Sequence, residues 1–226
     1  MRNRLFLLLL LGLLPCCAGS GKASQPPMRE PLPTPQRWCV ILDAGHGGFD
    51  PGASGADTGV KESELNLKVA RYVQRTLEDA GVRVLMTRTD EEALGNTKGE
   101  DMARRGQLLL AEGADAAVSI HMNKFSDRRV RGPMVYFQAG AGEGRILAQS
   151  IVDSLTDALA LKPRQANPGN NFVTRVPVCP AALVECGFLS HGEEERLLQE
   201  EGYERTLAQA IARGVIASLE GRADRI

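Results

Sequence analysis

Short apolar runs and amphipathic helical patterns alternate along the chain, and this alternation limits the folds open to it. Five runs, such as Cys39–Asp43 and Ala116–Ile120, are mostly apolar and do not alternate regularly between apolar and polar residues. Such runs are typical of parallel strands that are covered on both faces. Between them lie helical patterns, such as Glu64–Ala80, which a glycine follows directly. The sequence therefore predicts an α/β domain with a largely parallel, twisted sheet and helices on both faces.

The predicted elements alternate through a single domain, and two stretches without apolar periodicity are predicted to be surface loops. The predicted strands are Cys39–Asp43, Val82–Thr87, Ala116–Ile120, Met134–Gln138 and Ala181–Glu185. The predicted helices are Glu64–Ala80, Asp101–Glu112, Gly144–Leu161, Gly192–Glu200 and Tyr203–Leu219. The predicted loops are Asp90–Glu100 and Lys162–Asn171.

The N-terminal residues precede this domain and have a different composition. Two arginines are followed by the apolar run Leu5–Leu14, which is shorter than the ~20 residues needed to span a bilayer. Residues 1–20 are therefore predicted to be a signal peptide or an N-terminal membrane anchor, with lipidation at Cys16 or Cys17 as an open alternative. In each case the folded part lies outside the cytoplasm. We predict an extended, proline-rich tether at 21–37, the folded domain at 38–220 and a tail at 221–226.

The charge balance argues against a nucleic-acid-binding protein. The chain has 27 Lys and Arg against 28 Asp and Glu, which gives a net charge of -1. Nucleic-acid-binding domains usually carry a basic excess or a basic stripe. Aromatic residues make up only 4% of the chain, too few for a base-stacking platform.

Three cysteines follow the N-terminal segment, and an odd number excludes a framework of several disulfides. They are Cys39, Cys179 and Cys186. A Cys179–Cys186 bridge is disfavoured, since the residues between them are predicted to be extended and would hold the two cysteines too far apart. Free, buried thiols are therefore expected.

Titratable residues stand at the carboxyl ends of three predicted strands. His46 follows the first strand, His121 follows the third, and Glu185 ends the fifth. Sites of open α/β sheets form at this edge. Glu62 stands next to the first helix, and the glycine-rich loop from Gly45 to Gly59 could bring it back beside His46.

Two imidazoles and one carboxylate form a common ligand set for catalytic zinc, with water in the fourth position. We therefore predict His46, Glu62 and His121 as zinc ligands. Zinc makes bound water more acidic and polarises a carbonyl, and a second carboxylate must then carry the proton to the leaving nitrogen. Glu185 is predicted for this role, because a carboxylate buried at a strand end is costly unless it serves a site.

Structural interpretations of the same residues stay open. His46 could be a turn residue, His121 a core histidine, and Glu62 a charge that favours a helix N-terminus. His191 does not stand at a strand end, and we interpret it as a surface residue or an outer residue of the site.

Five segments of the chain together carry a likeness to one known family. They are ILDAGHGGFDPGA at 41–53, VKESELNLKVA at 60–70, TRTD at 87–90, AVSIHMN at 117–123 and AALVECGFLS at 181–190. These segments resemble the zinc-dependent N-acetylmuramoyl-L-alanine amidases, or type-3 amidases, a family of bacterial cell-wall hydrolases, and the likeness is greatest to the spore-cortex and germination branch.

This resemblance implies an α/β fold of about six strands and one Zn²⁺ per chain. The implied ligands and acid/base are the four residues already selected, His46, Glu62, His121 and Glu185. The resemblance also implies that Arg105 and Asn123 bind substrate or support the ligands. The implied reaction is cleavage of the amide bond between N-acetylmuramic acid and L-alanine in peptidoglycan, in the setting of spore cortex maturation.

The implied partners are peptidoglycan glycan strands and stem peptides, together with an activating lipoprotein. No nucleic-acid partner is expected, and membrane contact is expected only through the N-terminal segment. The localisation is then extracytoplasmic, with the chain secreted or anchored at the cell envelope, as a lipoprotein if a cysteine is lipidated.

Two other functions stay open from the sequence. A metallopeptidase that cuts within the stem peptide would use similar chemistry, although the helical H-E-x-x-H pattern of many peptidases is absent. A non-catalytic wall-binding protein would be expected to have lost Glu185 or a ligand, and the chain keeps all four residues.

Overall fold

The computed structural model describes residues 37–225, so the predicted signal peptide and almost all of the predicted tether lie outside the described residues. The described residues form six strands and six helices. In chain order they are β1 (Trp38–Ala44), α1 (Glu62–Asp79), β2 (Val82–Met86), α2 (Lys98–Leu109), β3 (Ala116–Asn123), β4 (Met134–Gln138), α3 (Gly142–Ala158), β5 (Asn167–Gly169), α4 (Phe172–Arg175), β6 (Ala181–Phe188), α5 (Gly192–Leu197) and α6 (Glu201–Ala223).

One six-stranded sheet in the order β2-β1-β3-β6-β4-β5 organises the domain. The pairs β1–β2, β1–β3, β3–β6 and β4–β5 are parallel, whereas β4 runs antiparallel to β6. The prediction of a largely parallel α/β sheet is confirmed. β4 reverses direction because residues 124–133, which connect it to β3, contain no helix that could return the chain to the opposite edge.

The two faces of the sheet are covered unequally. Val40, Leu42 and Val118 belong to a large apolar core that also includes buried residues of α1, α3 and α6. The opposite face has a small apolar cluster that includes Ile41 and Leu109, the latter from α2. The carboxyl half of this second face is therefore free to carry polar groups.

The predicted helices and strands are confirmed, with shifts at their ends. The predicted loop Lys162–Asn171 is wrong in part, because it contains β5, and α4 follows it directly. The residues of β5 are Asn-Pro-Gly, which have no apolar pattern that could have revealed a strand. Helix α2 begins at Lys98, inside the predicted loop Asp90–Glu100, and α6 continues to Ala223, beyond the predicted domain end at 220.

The three cysteines among the described residues are free thiols, and two of them are buried. Cys39, Cys179 and Cys186 are free, with Cys39 and Cys186 buried and Cys179 half-buried. Burial raises the pKa of the Cys186 thiol, so this group stays protonated. Among residues 37–225, every helix is too short or too polar to cross a membrane.

Candidate metal centre

A cleft opens at the carboxyl edge of the sheet, on the face that carries α2 and α4. His121 of β3 lies opposite Glu185 of β6 in the strand register. Asp43 of β1 lies opposite Ser119, and the period of two in a strand puts Ser119 and His121 on one face. The residues that line the cleft are Asp43, Gly45, His46, Asp50, Lys98, Asp101, Met102, Arg105, His121, Asn171, Phe172, Val173, Leu183 and Glu185.

The three predicted ligands converge at this edge. His46, Glu62 and His121 each offer one ligand atom, and these atoms lie within 4.8 Å of one another. Oε1 of Glu62 is 3.2 Å from Nε2 of His46 and 2.9 Å from Nδ1 of His121. Ligand atoms at the usual ~2.0–2.2 Å from a tetrahedral zinc ion are themselves about 3.4 Å apart. The donor types and their spacing therefore fit a zinc-sized divalent cation.

Glu62 is held by a backbone N–H group and by the side chain of Asn66. It is the first residue of α1, and its Oε2 accepts a 2.7 Å hydrogen bond from the backbone N–H of Ala53. One turn later, Nδ2 of Asn66 donates to Oε1 of Glu62 and to the carbonyl of Gly45. Burial opposes the charge of Glu62, but hydrogen bonds from His121 and His46 outweigh it and hold the pKa of Glu62 well below its usual range. Glu62 is therefore an ionised carboxylate.

His46 lies in a loop and has a left-handed backbone conformation, with φ of 62°. A non-glycine residue adopts this conformation only where its surroundings enforce it. Its Nδ1 is 3.0 Å from Oδ2 of Asp50. Burial lowers the pKa of His46, but the hydrogen bonds with Glu62 and Asp50 outweigh burial and raise it. The ring is thus fixed between two carboxylates.

Close approach explains the glycines beside the ligands. A Cβ at Gly45 would overlap the ring of His121. A Cβ at Gly52, where φ is +67°, would lie 2.8 Å from Cδ2 of His46 and 2.5 Å from Oε2 of Glu62. The glycine-rich loop therefore packs directly on the ligand set.

Glu185 is largely buried beside the ligands. Within residues 37–225, its Oε2 has no hydrogen-bond partner. Burial raises the pKa of Glu185 to about 7, with a further upward contribution from the charge of Glu62 and downward ones from His121 and His46. Near neutral pH this carboxyl group can both take up and release a proton.

Arg105 contacts the backbone of the loop that carries His46. It is buried and ion-paired with Asp43 and Asp101, and it donates to the carbonyls of Ala44 at 3.0 Å and His46 at 3.1 Å. Arg105 thus fixes the backbone that carries His46. A role for Arg105 in binding substrate or in supporting the ligands stays a prediction.

The sequence analysis missed two polar residues beside the predicted ligands, the buried Arg88 and the half-buried Asp50. Arg88, within the TRTD segment, donates to the carbonyls of Ala44, Gly45 and Ser63 and so joins β1 to the start of α1. Asp50 was also missed. Both residues lie in segments that carry the family resemblance, Asp50 in ILDAGHGGFDPGA and Arg88 in TRTD. Their contacts depend on loop geometry, which those segments alone do not give.

Asn123 and His191 have local contacts. The side chain of Asn123 accepts a hydrogen bond from the backbone N–H of Lys124, and Asn123 is not among the residues that line the cleft. His191 is the N-cap of α5, where its Nδ1 accepts from the N–H of Glu194 at 3.3 Å. The hydrogen bonds of the Asn123 and His191 side chains do not involve His46, Glu62 or His121. His191 is explained as a helix cap.

The sequence matches one family over nearly the whole described domain. Residues 40–217 match the sequence model of a family described as N-acetylmuramoyl-L-alanine amidase. The chain belongs to this amidase family. The predicted family, enzyme class and overall reaction are thereby confirmed.

Curated relatives and solved structures agree with this family membership. The germination-specific N-acetylmuramoyl-L-alanine amidase of Bacillus subtilis is 31% identical over 194 residues, which cover 82% of this chain and 81% of that protein. The probable cell wall amidase LytH of Staphylococcus aureus is 32% identical over 178 residues, 78% of this chain and 56% of that protein.

Among solved structures, the CwlD amidase of Clostridioides difficile, determined in complex with the GerS lipoprotein, superposes with a TM-score of 0.78. Its sequence is 29% identical, and the match covers 81% of this chain and 99% of that one. The catalytic domain of the amidase CwlV from Paenibacillus polymyxa gives a TM-score of 0.73 at 30% identity, over 81% of this chain and 98% of that one. The six-stranded α/β fold is therefore the fold of these amidases.

Proposed function

We propose that this amidase cleaves the bond between N-acetylmuramic acid and L-alanine with one zinc ion held by His46, Glu62 and His121, and with Glu185 as the acid/base. The observation that carries this proposal is the convergence of three ligand atoms within 4.8 Å beside a buried carboxylate oxygen that lacks a partner. An unpaired buried carboxylate is costly, and a role in moving protons accounts for it.

The ligands suit zinc by type and by preorganisation. When bound, zinc polarises the scissile carbonyl and lowers the pKa of a water molecule. Glu62 supplies the negative charge, which its contacts with Ala53 and Asn66 keep in place. Arg105 and Arg88 hold the backbone of residues 44–46, so the ring of His46 does not need to reorganise during the reaction.

Glu185 moves the proton in this proposal. Its Oε2 takes the proton of the attacking water and then delivers it to the nitrogen of the leaving L-alanine. A pKa of about 7 suits both steps, because the group is neither too weak a base nor too weak an acid at neutral pH. The apolar side chains of Leu183 and Phe172 line the same cleft and limit the access of other water molecules.

The substrate and the setting are proposed from the named relatives. The Bacillus subtilis relative is germination-specific, and the Clostridioides difficile amidase was solved with a lipoprotein. We propose that this chain acts on the glycan strands and stem peptides of spore-cortex peptidoglycan and that a lipoprotein activates it. The proposed organisation is a signal peptide or anchor at 1–20, a tether at 21–37, the catalytic domain at 38–220 and a tail at 221–226. This places the enzyme outside the cytoplasm, secreted or anchored at the envelope, as a lipoprotein if Cys16 or Cys17 is lipidated.

A digest of purified peptidoglycan tests the proposal. The full chain is incubated with peptidoglycan in the presence of zinc or of a chelator, and the products are analysed by mass spectrometry. We expect stem peptides with a free L-alanine amine, released only with zinc. Cuts between stem residues would replace the proposal with a metallopeptidase. A zinc-loaded protein that binds the wall but releases nothing, even with a lipoprotein partner added, would favour a non-catalytic role.

A further inference from the structure

We propose that Asp50 is a positioning residue that fixes the ring of His46 and keeps the proton of that ring on Nδ1. Asp50 is not one of the ligands, and its contacts are separate from those that hold Glu62 or His121. The inference rests on the proposed metal site and adds to it the group that prepares one ligand for the metal.

A tight turn brings Asp50 back to His46. The backbone N–H of Gly47 donates to the carbonyl of Asp50 at 2.9 Å, and the N–H of Asp50 donates to the carbonyl of Gly47 at 3.0 Å. Gly47 and Gly48 have positive φ, 138° and 52°, which a residue with a side chain rarely adopts. The turn therefore sets the position of the Asp50 carboxylate relative to the ring that precedes it.

The Asp50 carboxylate is itself fixed by three donors. Its Oδ1 accepts from the N–H of Gly52 at 3.2 Å. Its Oδ2 lies 3.0 Å from Nδ1 of His46 and accepts from Nζ of Lys98 at 3.1 Å. Lys98 stands at the start of α2 and is exposed to solvent, so Asp50 links the α2 side of the cleft to the ligand loop.

The direction of the hydrogen bond between His46 and Asp50 determines which nitrogen of the His46 ring can bind a metal. An ionised carboxylate only accepts hydrogen bonds, so Nδ1 of His46 must carry a proton to bond with Asp50. In the metal-free ring Nε2 lies 3.2 Å from Oε1 of Glu62 and donates to it. When a metal replaces the proton on Nε2, the lone pair of Nε2 is the ligand and the remaining proton of the ring stays on Nδ1. A metal binds only an unprotonated ring nitrogen. Asp50 therefore selects the tautomer that can act as a ligand through Nε2.

The two histidines differ in their need for such support. His121 lies within a central strand, and its ring packs against Gly45. Among residues 37–225, Glu62 is the only acidic residue that pairs with His121. His46 instead lies on the loop after β1, outside the strands of the sheet, and has a left-handed backbone conformation. Asp50 therefore contacts His46, the proposed histidine ligand that lies outside the strands of the sheet.

The test measures zinc binding and the ring tautomer in the full chain. Zinc dissociation constants are obtained by competition with a chelator for the wild type, Asp50→Ala, Asp50→Asn and Lys98→Met. We expect Asp50→Ala to bind zinc about 10–100-fold more weakly. Asp50→Asn should lie between it and the wild type, because the amide oxygen can still accept from Nδ1. Lys98→Met removes an exposed partner of the same oxygen and should change binding no more than about fivefold.

A second readout follows the ring itself in the zinc-loaded proteins. The chain has three histidines, so ¹⁵N spectra of labelled protein can resolve the ring of His46. We expect a protonated Nδ1 in the wild type, with its N–H protected from exchange with water, and loss of that protected N–H in Asp50→Ala. A purely structural contribution to folding would not change this signal. Thermal unfolding of the metal-free proteins identifies a variant that fails to fold, and Asp50→Asn then takes the place of Asp50→Ala.

The outcomes separate this inference from the proposed function. Wild-type affinity for zinc together with an unchanged Nδ1–H signal in both Asp50 variants would overturn the positioning role and leave the proposed function intact. A wild-type chain that binds no zinc at this site would overturn the proposed metal mechanism, and the positioning role with it.

Discussion

The two faces of the sheet carry different side chains, although the same strands build both. On β1, Val40 and Leu42 join the large apolar core with α1 and α6. The alternate residues Ile41 and Asp43 point to the other face, where Asp43 pairs with Arg105 in the floor of the cleft. The core face therefore supplies most of the apolar burial, and the opposite face carries charged groups, the proposed ligand His121 and Glu185.

This difference separates stability from chemistry within one sheet. Apolar burial is non-directional and tolerates small rearrangements, whereas the ligand set needs atoms at fixed positions. Changes on the core face should lower the free energy of unfolding and leave zinc binding intact. Changes at the chemical groups of the cleft, such as Glu185, should alter activity or zinc binding far more than they alter folding, whereas the buried ion pair of Asp43 and Arg105 should also contribute to stability.

The largest expected effect is that of Glu185→Gln on activity. Removal of the proposed acid/base should lower kcat by roughly a hundred- to ten-thousand-fold. The zinc content should be unchanged, because Glu185 is not a proposed ligand. Product release by mass spectrometry and metal analysis of the same sample provide the measurements. Glu193→Gln, an exposed carboxylate paired with Arg131, is the matched control. Full activity of Glu185→Gln would remove the proposed role.

Asp43→Asn tests whether the polar face also contributes to stability through charge. Burial raises the pKa of Asp43, but Arg105, Ser119 and Thr87 outweigh it, so the folded-state pKa lies below its usual value of 3.8. The ionised group therefore stabilises the fold above that pH, and this contribution is lost as the pH falls through the folded-state pKa. The variant should be less stable by about 3–5 kcal/mol at neutral pH.

Denaturant unfolding of both proteins between neutral pH and about pH 3 measures this difference. The difference in the free energy of unfolding between wild type and Asp43→Asn should become smaller as the pH falls. A gap that is constant with pH would show that the carboxylate charge is not what stabilises this part of the fold.

Gly214→Ala probes the core face, where α6 crosses α3. A Cβ at Gly214 would lie 2.5 Å from Cα of Ile151, which belongs to the backbone and cannot easily move away. Alanine is the better helix former, yet this overlap should make the variant less stable by about 1–3 kcal/mol. Zinc affinity should stay at the wild-type value. Equal stability of the variant, measured by denaturant unfolding, would show that the two helices can separate at little cost.

Gly202→Ala should have the smallest effect and the opposite sign. Gly202 lies in the first turn of α6, and an added Cβ would have no neighbour among the described residues within 4 Å. The substitution should stabilise the fold by up to about 1 kcal/mol, because it restricts the unfolded chain. Thermal and denaturant unfolding measure it beside Gly214→Ala. A destabilised Gly202→Ala would mean that helix geometry at this end differs from that described.

The sequence predicted those parts of the molecule that depend on local patterns. Apolar runs identified β1, β2, β3, β4 and β6, and strand ends located His46, His121 and Glu185. The sequence did not predict β5, whose three residues carry no periodicity, or the antiparallel direction of β4, which depends on how residues 124–133 pass over the sheet edge.

The contacts around the ligands could not be predicted for a different reason. Asp50 reaches His46 only because a closed turn reverses the chain between them. Arg88 and Arg105 reach the ligand loop across the floor of the cleft from elements distant in sequence. Such contacts follow from tertiary geometry, and their residue types alone are equally consistent with solvent-exposed charges.

The most direct test of the central claim is a crystal structure of the zinc-loaded full chain with anomalous data collected at the zinc absorption edge. The account predicts one anomalous peak per chain, about 2.0–2.2 Å from Nε2 of His46, a carboxylate oxygen of Glu62 and Nδ1 of His121. It also predicts that Glu185 lies beside the metal without binding it. A peak at other residues, or a zinc ion directly bound by Glu185, would contradict the account.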